Sequence, residues 1–216
     1  YGINPLLVRF NALIPTDVGI HNCKELRDYG FDSIEIIPNV KVSKSLSLRF
    51  LIERGNPKLH WDAGINAAIY RTAVHTGIPF IFYAEHGETH YGGRVLNKNS
   101  ERIRDYEEVI ENQIGDNPIN WTDEKVNTED LYPYILPRLD ELSKLSIEGH
   151  YYGYYTKWNV KENFRYVSSK IDFHTTKRGR TYGTFTNYDS LDDYMDDLYY
   201  YLNYLKFGYG RGIRDL

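Results

Sequence analysis

Short apolar runs alternate with longer helical patterns over the first hundred residues of the chain. The apolar runs cover residues 6–10, 33–37 and 80–84, and a proline or an asparagine borders each of them. Near-continuous apolarity over about five residues is typical of strands that are covered on both faces, as in parallel sheets. The sequence therefore predicts three buried strands.

Helical patterns occupy the intervals between these runs. The first begins at a cap at Thr16 or Asp17 and runs to Tyr29. The second carries apolar residues at Val42, Leu46 and Leu51, and the third is predicted to start at a cap at Asp62. The three patterns stop at glycines, which are Gly30, Gly55 and Gly77. Strands alternating with helices predict an α/β fold with a right-handed, doubly wound parallel sheet.

The composition changes after residue 97. Residues 98–146 are polar and charged, with helical patterns at about 101–114 and across residues 135–145, so we interpret them as a helical insertion. Residues 147–159 are aromatic and extended, and helices are predicted at 160–169 and at 190–207, before Gly208. The predicted organisation is a βα core at 1–97, the insertion at 98–146, and an aromatic, glycine-rich segment at 147–216; the resemblance described below implies that the core binds a nucleotide and that the last segment completes the site.

Composition and charge exclude several classes of protein. The 216 residues carry a formal net charge of −4, which argues against a nucleic-acid partner. One cysteine excludes an internal disulfide framework, and the seven histidines show no metal-ligand spacing, so we expect no zinc site. No apolar run approaches the roughly 18 residues that span a bilayer. With no signal-peptide pattern either, we expect a cytoplasmic protein without a membrane partner.

Polar residues follow each apolar run, at the position where α/β folds bind ligands. They are Asn11, Pro38 with Asn39, and Glu85 with His86. Glu85 has the chemistry to hold Mg²⁺ or to orient a nucleophile, and His86 to move protons. The alternative for Glu85 is a local cap or ion pair, and the sequence leaves both open.

Two glycine-rich stretches have the composition of anion sites. Tyr91-Gly92-Gly93 precedes Arg94, and paired glycines let backbone N–H groups approach an anion, although such pairs also form simple turns. Lys206 and Arg211 flank Gly208-Tyr209-Gly210 and have the charge to grip a phosphate or a carboxylate-bearing sugar. The alternative is that both cations complement a helix C-terminus.

The order of these segments resembles a known family. The matching stretches are residues 1–8, 19–22, 37–39, 78–81, Glu85, 91–93, 153–159, 183–188 and 206–211. They look like the N-acetyl sugar amidotransferases of bacterial surface-polysaccharide synthesis (lipopolysaccharide and O-antigen). These belong to the PP-loop ATP pyrophosphatases, which have an adenine nucleotide α-hydrolase fold. The resemblance covers essentially the whole chain and is weakest at 98–146.

The resemblance implies an activity and a set of site residues. The implied reaction converts the acetamido group of a nucleotide-linked sugar into an acetamidino group, using ATP and Mg²⁺, with ammonia from a separate glutaminase partner. Glu85, Lys206 and Arg211 are the implied catalytic residues, with Glu85 also the Mg²⁺ ligand. The remaining implied contacts are Phe10, Asn11, Ile37 and Pro38 to adenine and ribose, and Tyr91, Gly92, Gly93 and Asn187 to the substrate.

One motif of that family is missing from the sequence. The family carries Ser-Gly-Gly-x-Asp-Ser after its first strand, where backbone amides and a helix cradle pyrophosphate. Tyr1 corresponds to the end of the helix that follows this motif, so we expect a fragment or a truncated gene model. Two alternatives stay open: another PP-loop enzyme, such as a tRNA-thiolating or amide-forming ligase, and a non-catalytic nucleotide-fold binding module.

Overall fold

The protein has a mixed α/β fold. A computed structural model describes residues 3–85, 103–104, 106–177 and 185–210, with the backbone alone for residues 108 and 112. In chain order the elements are β1 (Leu7–Phe10), α1 (Asp17–Asp28), β2 (Ser33–Ile36), α2 (Val40–Arg54), α3 (Leu59–Thr76), β3 (Phe80–Tyr83), α4 (Tyr106–Glu108), α5 (Leu139–Lys144), β4 (Glu148–Tyr151), α6 (Val160–Ser168) and α7 (Met195–Phe207). Single turns of π- or 3₁₀-helix cover Val109–Ile114, Pro118–Trp121, Glu129–Tyr134 and Tyr152–Tyr154. The three predicted strands form, but their predicted cover on both faces is wrong, because β2 is mostly exposed and β3 alternates between exposed and buried residues. A fourth strand lies in the predicted extended segment.

The strands pair in parallel, as their alternation with helices predicts. β1 lies beside β2, in a register that runs from Leu7 opposite Ser33 to Phe10 opposite Ile36. β3 lies beside β4, from Phe80 opposite Glu148 to Tyr83 opposite Tyr151. Within the described ranges these are two separate two-stranded sheets. The single doubly wound sheet stays a prediction.

Local side-chain chemistry explains where the first two helices begin and end. The Thr16 hydroxyl accepts a hydrogen bond from the Gly19 N–H (2.9 Å), so α1 starts one residue later, as predicted. Asn39 caps α2 in the same way, and that helix ends at Gly55 with φ of 60°. These boundaries follow directly from the residue types at the two ends.

Two predicted helix starts are wrong. α3 begins at Leu59 and not at Asp62, because Asn56 Oδ1 accepts the Lys58 N–H (3.0 Å) and turns the chain into the helix earlier. Asp62 is then inside the first turns. α7 begins at Met195 and not near Ser190, because Ser190 has φ of 50° and the Asp193 carboxylate accepts the Met195 N–H (2.9 Å).

α3 is the centre of the hydrophobic core. Its 18 residues pack on β1 and β3 and on the π- and 3₁₀-helical turns of the 109–134 region. That region belongs to the predicted polar insertion, yet it supplies six almost completely buried side chains: Val109, Ile114, Trp121, Val126, Leu131 and Tyr134. These residues join Leu46 and Phe50 of α2 in one cluster. Throughout the described ranges, no helix combines the length and apolarity needed to cross a membrane.

A glycine lets α3 approach β1 closely. A Cβ atom at Gly64 would lie 2.4 Å from Cζ of Phe10, whose ring is 4% exposed and has nowhere to move. We expect Gly64→Ala to destabilise the fold by about 2 kcal/mol, since overpacking outweighs the better helix propensity of alanine. Urea denaturation measures this. In the Phe10→Leu background the same substitution should cost clearly less, and an equal cost in both backgrounds would contradict the steric explanation.

Candidate active site

The carboxyl ends of β1 and β2 bring four predicted nucleotide contacts together. The Asn11 N–H donates to the Ile36 carbonyl (2.9 Å), so Phe10 and Asn11 lie beside Ile37 and Pro38. The Ile37 side chain is 66% exposed, whereas the Phe10 ring is buried against α3. Of these residues, Ile37 therefore offers exposed apolar surface, whereas Phe10 is part of the core.

Charged and polar side chains gather around the N-terminal half of α3, next to the ends of β1 and β3. We call this group the strand-end cluster; it comprises Lys58, Asp62, Glu85, Arg104, Gln113 and Asp196. Its position follows from the topology, because α3 leads into β3 and Trp61 Nε1 donates to the Asn11 carbonyl (3.0 Å). The edge is the one where α/β folds hold their ligands.

Arg104 is the most enclosed member of the strand-end cluster. Its side chain is 2% exposed, and Nη1 donates to Glu85 Oε1 at 2.8 Å. Nη2 donates to Gln113 Oε1, and the guanidinium lies 4.2 Å from the centroid of the Tyr83 ring. Its backbone N–H donates to the Gly149 carbonyl of β4 (2.8 Å). Arg104 thus fixes the orientation of Glu85 relative to β3 and β4.

Lys58 forms the second buried ion pair of the cluster, with Asp196 of α7. The two side chains are 8% and 11% exposed, and the Lys58 ammonium also lies 4.1 Å from the Trp61 ring centroid. Burial opposes the charge of Lys58, but Asp196 outweighs it and raises the pKa of the lysine. The pair connects α7 to the start of α3.

Asp62 lies between these two pairs without a cation of its own. Burial raises the pKa of its carboxyl to about 7, with Lys58 and Arg104 acting in the opposite direction and Asp196 adding to the rise. A carboxyl with a pKa near 7 exchanges protons at neutral pH, which suits a general acid or base. Of the residues in the strand-end cluster, Asp62 is therefore the best suited to transfer protons at neutral pH.

The other sequence-predicted residues lie in different surroundings. Lys206 Nζ donates to the Arg54 carbonyl (2.8 Å) at the C-terminus of α2. This is the helix-capping role given above as the alternative, but the capped helix is α2 and not α7, to which Lys206 belongs. The Asn187 side chain donates to the Thr176 carbonyl (3.1 Å). These contacts hold Lys206 at the end of α2 and Asn187 beside Thr176, and do not bring them to Glu85. Six predicted residues lie outside the described ranges: His86, Tyr91, Gly92, Gly93, Arg94 and Arg211.

Sequence reasoning missed most of the strand-end cluster, although one signal was available. Lys58, Asp62 and Asn66 are spaced by four residues along an otherwise apolar helix, so they share one face. Asn66 Nδ2 donates to the Asp62 carbonyl (2.8 Å). A row of polar residues on one face of a mostly buried helix indicates a polar site. Asp62 considered alone indicates only a helix cap. Arg104 has no comparable signal, because its neighbours in sequence are equally charged.

Comparisons with known proteins add nothing to this geometry. No family model matches the chain, and no curated protein matches it significantly. The resemblance to N-acetyl sugar amidotransferases therefore depends on its motifs alone.

Proposed function

We propose that this chain is the nucleotide-binding part of an ATP-dependent N-acetyl sugar amidotransferase with a doubly wound, adenine nucleotide α-hydrolase-type sheet. The enzyme converts the acetamido group of a nucleotide-linked sugar into an acetamidino group, with ammonia from a glutaminase partner. The order of the motifs supports this reaction. The observation that supports an active site is the strand-end cluster, since three carboxyl groups and two cations lie together at the carboxyl ends of β1 and β3.

The strand-end cluster fits a magnesium-bound nucleotide better than a bare phosphate. Both cations, Lys58 and Arg104, already hold a carboxylate, and Asp62 is left with a carboxyl whose charge burial disfavours. An incoming Mg²⁺ would supply the missing positive charge, and carboxylate oxygens are ligands that it accepts. Glu85 is the residue to hold it, and the positive charge would favour the ionised form of the neighbouring Asp62. Residues 86–93, which include the predicted phosphate-contacting glycines, continue the chain directly from Glu85.

The chemistry requires activation of a poor electrophile. The acetamido oxygen attacks the α-phosphorus of ATP, pyrophosphate leaves, and ammonia then adds to the activated carbon and displaces AMP. The acetamido oxygen thus ends in AMP, and nitrogen replaces it in the sugar. Ammonia loses protons as it adds, and Asp62 in its ionised form is placed to accept one. Arg104 orients Glu85 and so acts as a positioning residue.

The proposed reaction predicts defined products and a defined oxygen transfer. We expect the chain, expressed with whatever its gene encodes upstream of Tyr1, to release AMP and pyrophosphate in equal amounts. The assay contains ATP, Mg²⁺, ammonium and a UDP-linked N-acetyl sugar labelled with ¹⁸O in the acetamido group. Mass spectrometry should find the label in AMP. Release of ADP, or unlabelled AMP, would contradict the adenylation mechanism, and ATP binding without turnover would favour the non-catalytic module.

Glu85→Gln tests the predicted catalytic carboxylate within that reaction. Glutamine keeps a hydrogen-bond acceptor for Arg104 but removes the negative charge, so we expect AMP formation to fall about 100-fold. The melting temperature should also fall, because the buried Arg104 cation loses the charge of Glu85, so turnover is compared at a temperature at which both proteins are folded. Glu53→Gln is the matched control, because Glu53 is an exposed glutamate on α2 that pairs with Arg49. Turnover of Glu85→Gln at the wild-type rate would remove Glu85 from the mechanism.

A further inference from the structure

Two histidines and an aspartate meet on the side of α1, although they are far apart in sequence. His21 lies on α1, and Asp172 and His174 lie on the segment that follows α6. One donor atom from each lies within 4.8 Å of the other two, and the two imidazole rings stack with centroids 3.7 Å apart. We call these three residues the histidine cluster. The spacing of histidines along the chain gave no indication of it, because its members are about 150 residues apart.

The spacing of the donor atoms matches a tetrahedral metal site. Asp172 Oδ2 lies 3.4 Å from His21 Nε2 and 3.1 Å from His174 Nε2. Zn²⁺ binds imidazole nitrogen and carboxylate oxygen at about 2.0–2.2 Å, so neighbouring donors in a tetrahedron lie about 3.3–3.4 Å apart. A metal ion fits between these atoms once the two imidazole rings, which are stacked at 16° to each other, rotate so that both Nε2 lone pairs face it. The Asp172 carbonyl, 2.8 Å from His21 Nε2, is a further oxygen at the same place.

The backbone that carries two of the donors is held in position. The amide of Asn22, a buried residue, accepts the His174 N–H (2.8 Å) and donates to the His174 carbonyl (2.9 Å). The Glu25 carboxylate accepts the Asp172 N–H (3.3 Å), and Asn187 secures the chain at Thr176. Donors that are already oriented lose less entropy when a metal binds.

Two nitrogens and one oxygen select the kind of metal. Imidazole suits Zn²⁺ and its divalent transition-metal neighbours, whereas Mg²⁺ and Ca²⁺ prefer oxygen ligands. Asp172 and His174 are exposed, so water can complete the coordination. Asp172 also lines a polar groove of about 450 Å³ between the ends of α1 and α6, through which an ion can arrive.

We propose that His21, Asp172 and His174 bind one Zn²⁺-type transition-metal ion, which ties the segment after α6 to α1. This site is separate from the strand-end cluster and does not depend on the proposed enzymatic activity. Three protein ligands leave a fourth position for water, as in metal sites that exchange a ligand. The ion stabilises the folded chain, because the unfolded chain does not hold the three donors together.

Calorimetric titration of the untagged chain with Zn²⁺ tests the site. We expect the wild-type protein to bind zinc in a step that His21→Ala and His174→Ala each weaken at least about 100-fold, and Asn22→Ala about tenfold through loss of positioning. His75→Ala removes an exposed histidine at the end of α3 and should leave the affinity unchanged. Mg²⁺ at the same concentration should produce no binding heat.

Two further measurements separate metal binding from folding. The melting temperature should rise with Zn²⁺ in the wild-type and His75→Ala proteins but not in His21→Ala. Without metal, all of these proteins should melt at similar temperatures, because the His21 and His174 side chains lie on the surface. Zinc affinity of His21→Ala and His174→Ala within threefold of wild type would overturn the proposal, as would absence of zinc binding to the wild-type chain.

Discussion

Replacing Arg104 by methionine is expected to lower the free energy of unfolding by about 3–5 kcal/mol, the largest single effect that we anticipate. Methionine fills much of the same volume but removes the charged donor that Arg104 supplies to the Glu85 carboxylate and to the Gln113 oxygen. It also removes the cation from the faces of Tyr83 and Tyr151. Urea denaturation monitored by circular dichroism measures the change.

Two companion variants identify which interaction is responsible. Arg104→Lys keeps the charge but loses the planar, forked donor, so it should recover less than half of the lost stability. Glu85→Gln combined with Arg104→Met should be more stable than Arg104→Met alone, because the carboxylate that lost its Arg104 partner then carries no charge. If the double variant is as unstable as the single one, the ion pair contributes nothing and Arg104 acts through packing.

The strands and most helix ends were predictable because local chemistry determines them. Thr16, Asn39, Gly55 and Gly208 act at their own positions in the chain, and the apolar runs need only a covering layer to become strands. Ser190 shows the limit of this approach. Ser190 is a good capping residue by type, but its backbone lies in the left-handed region. The carboxylate of Asp193 instead accepts the first N–H of α7, from Met195, together with the backbone N–H groups of Leu13 and Ile14.

The candidate sites were harder to predict, because long-range packing creates them. Asn11, Ile37 and Glu85 directly follow strands, so their positions at the strand ends were predictable. Arg104 becomes a site residue only because Tyr83 and Tyr151 enclose it, and His21 reaches His174 only because the segment after α6 packs on α1. Sequence spacing carries no information on contacts of this range. The polar residues at 58, 62 and 66 of α3 are the exception, since a helix repeat aligns them.

The second large effect concerns pH, and it arises from two neighbouring residues of α3 with opposite titration behaviour. Burial raises the pKa of Asp62 to about 7 and lowers the pKa of His60 to about 3. His60 has no exposed surface, and neither of its ring nitrogens has a hydrogen-bond partner among the described residues. Between about pH 4 and pH 6.5 the folded chain keeps a proton on Asp62, whereas the unfolded chain keeps one on its histidine.

These two contributions oppose each other in the stability of the wild-type protein. The raised pKa of Asp62 favours the folded state below about pH 4, and this contribution is lost as the pH rises towards 7. The lowered pKa of His60 favours the folded state above about pH 6.5, and this contribution is lost as the pH falls towards 3. Each slope has an upper limit of about 1.4 kcal/mol per pH unit, so together they nearly cancel.

Single substitutions should therefore reveal slopes of opposite sign. Asp62→Asn removes the carboxyl, so stability should rise by about 2 kcal/mol at pH 8, roughly half of the full linkage value because the residue keeps some solvent access. Between pH 4 and 6.5 the stability of the Asp62→Asn variant should increase with pH, because only the contribution of His60 remains. His60→Phe keeps a ring against Tyr134 and should instead lose stability as the pH rises from 4 to 7.

Free energies of unfolding from urea titrations at pH 4, 5, 6, 7 and 8 test both variants against wild type. All other titrating groups are common to the proteins, so they cancel in the differences. The double variant Asp62→Asn/His60→Phe should parallel the wild-type profile between pH 4 and 6.5, because it lacks both opposing groups. Parallel profiles for wild type and both single variants would mean that neither side chain is held in its uncharged form. In that case Asp62 could not serve as the neutral-pH proton acceptor at the strand ends.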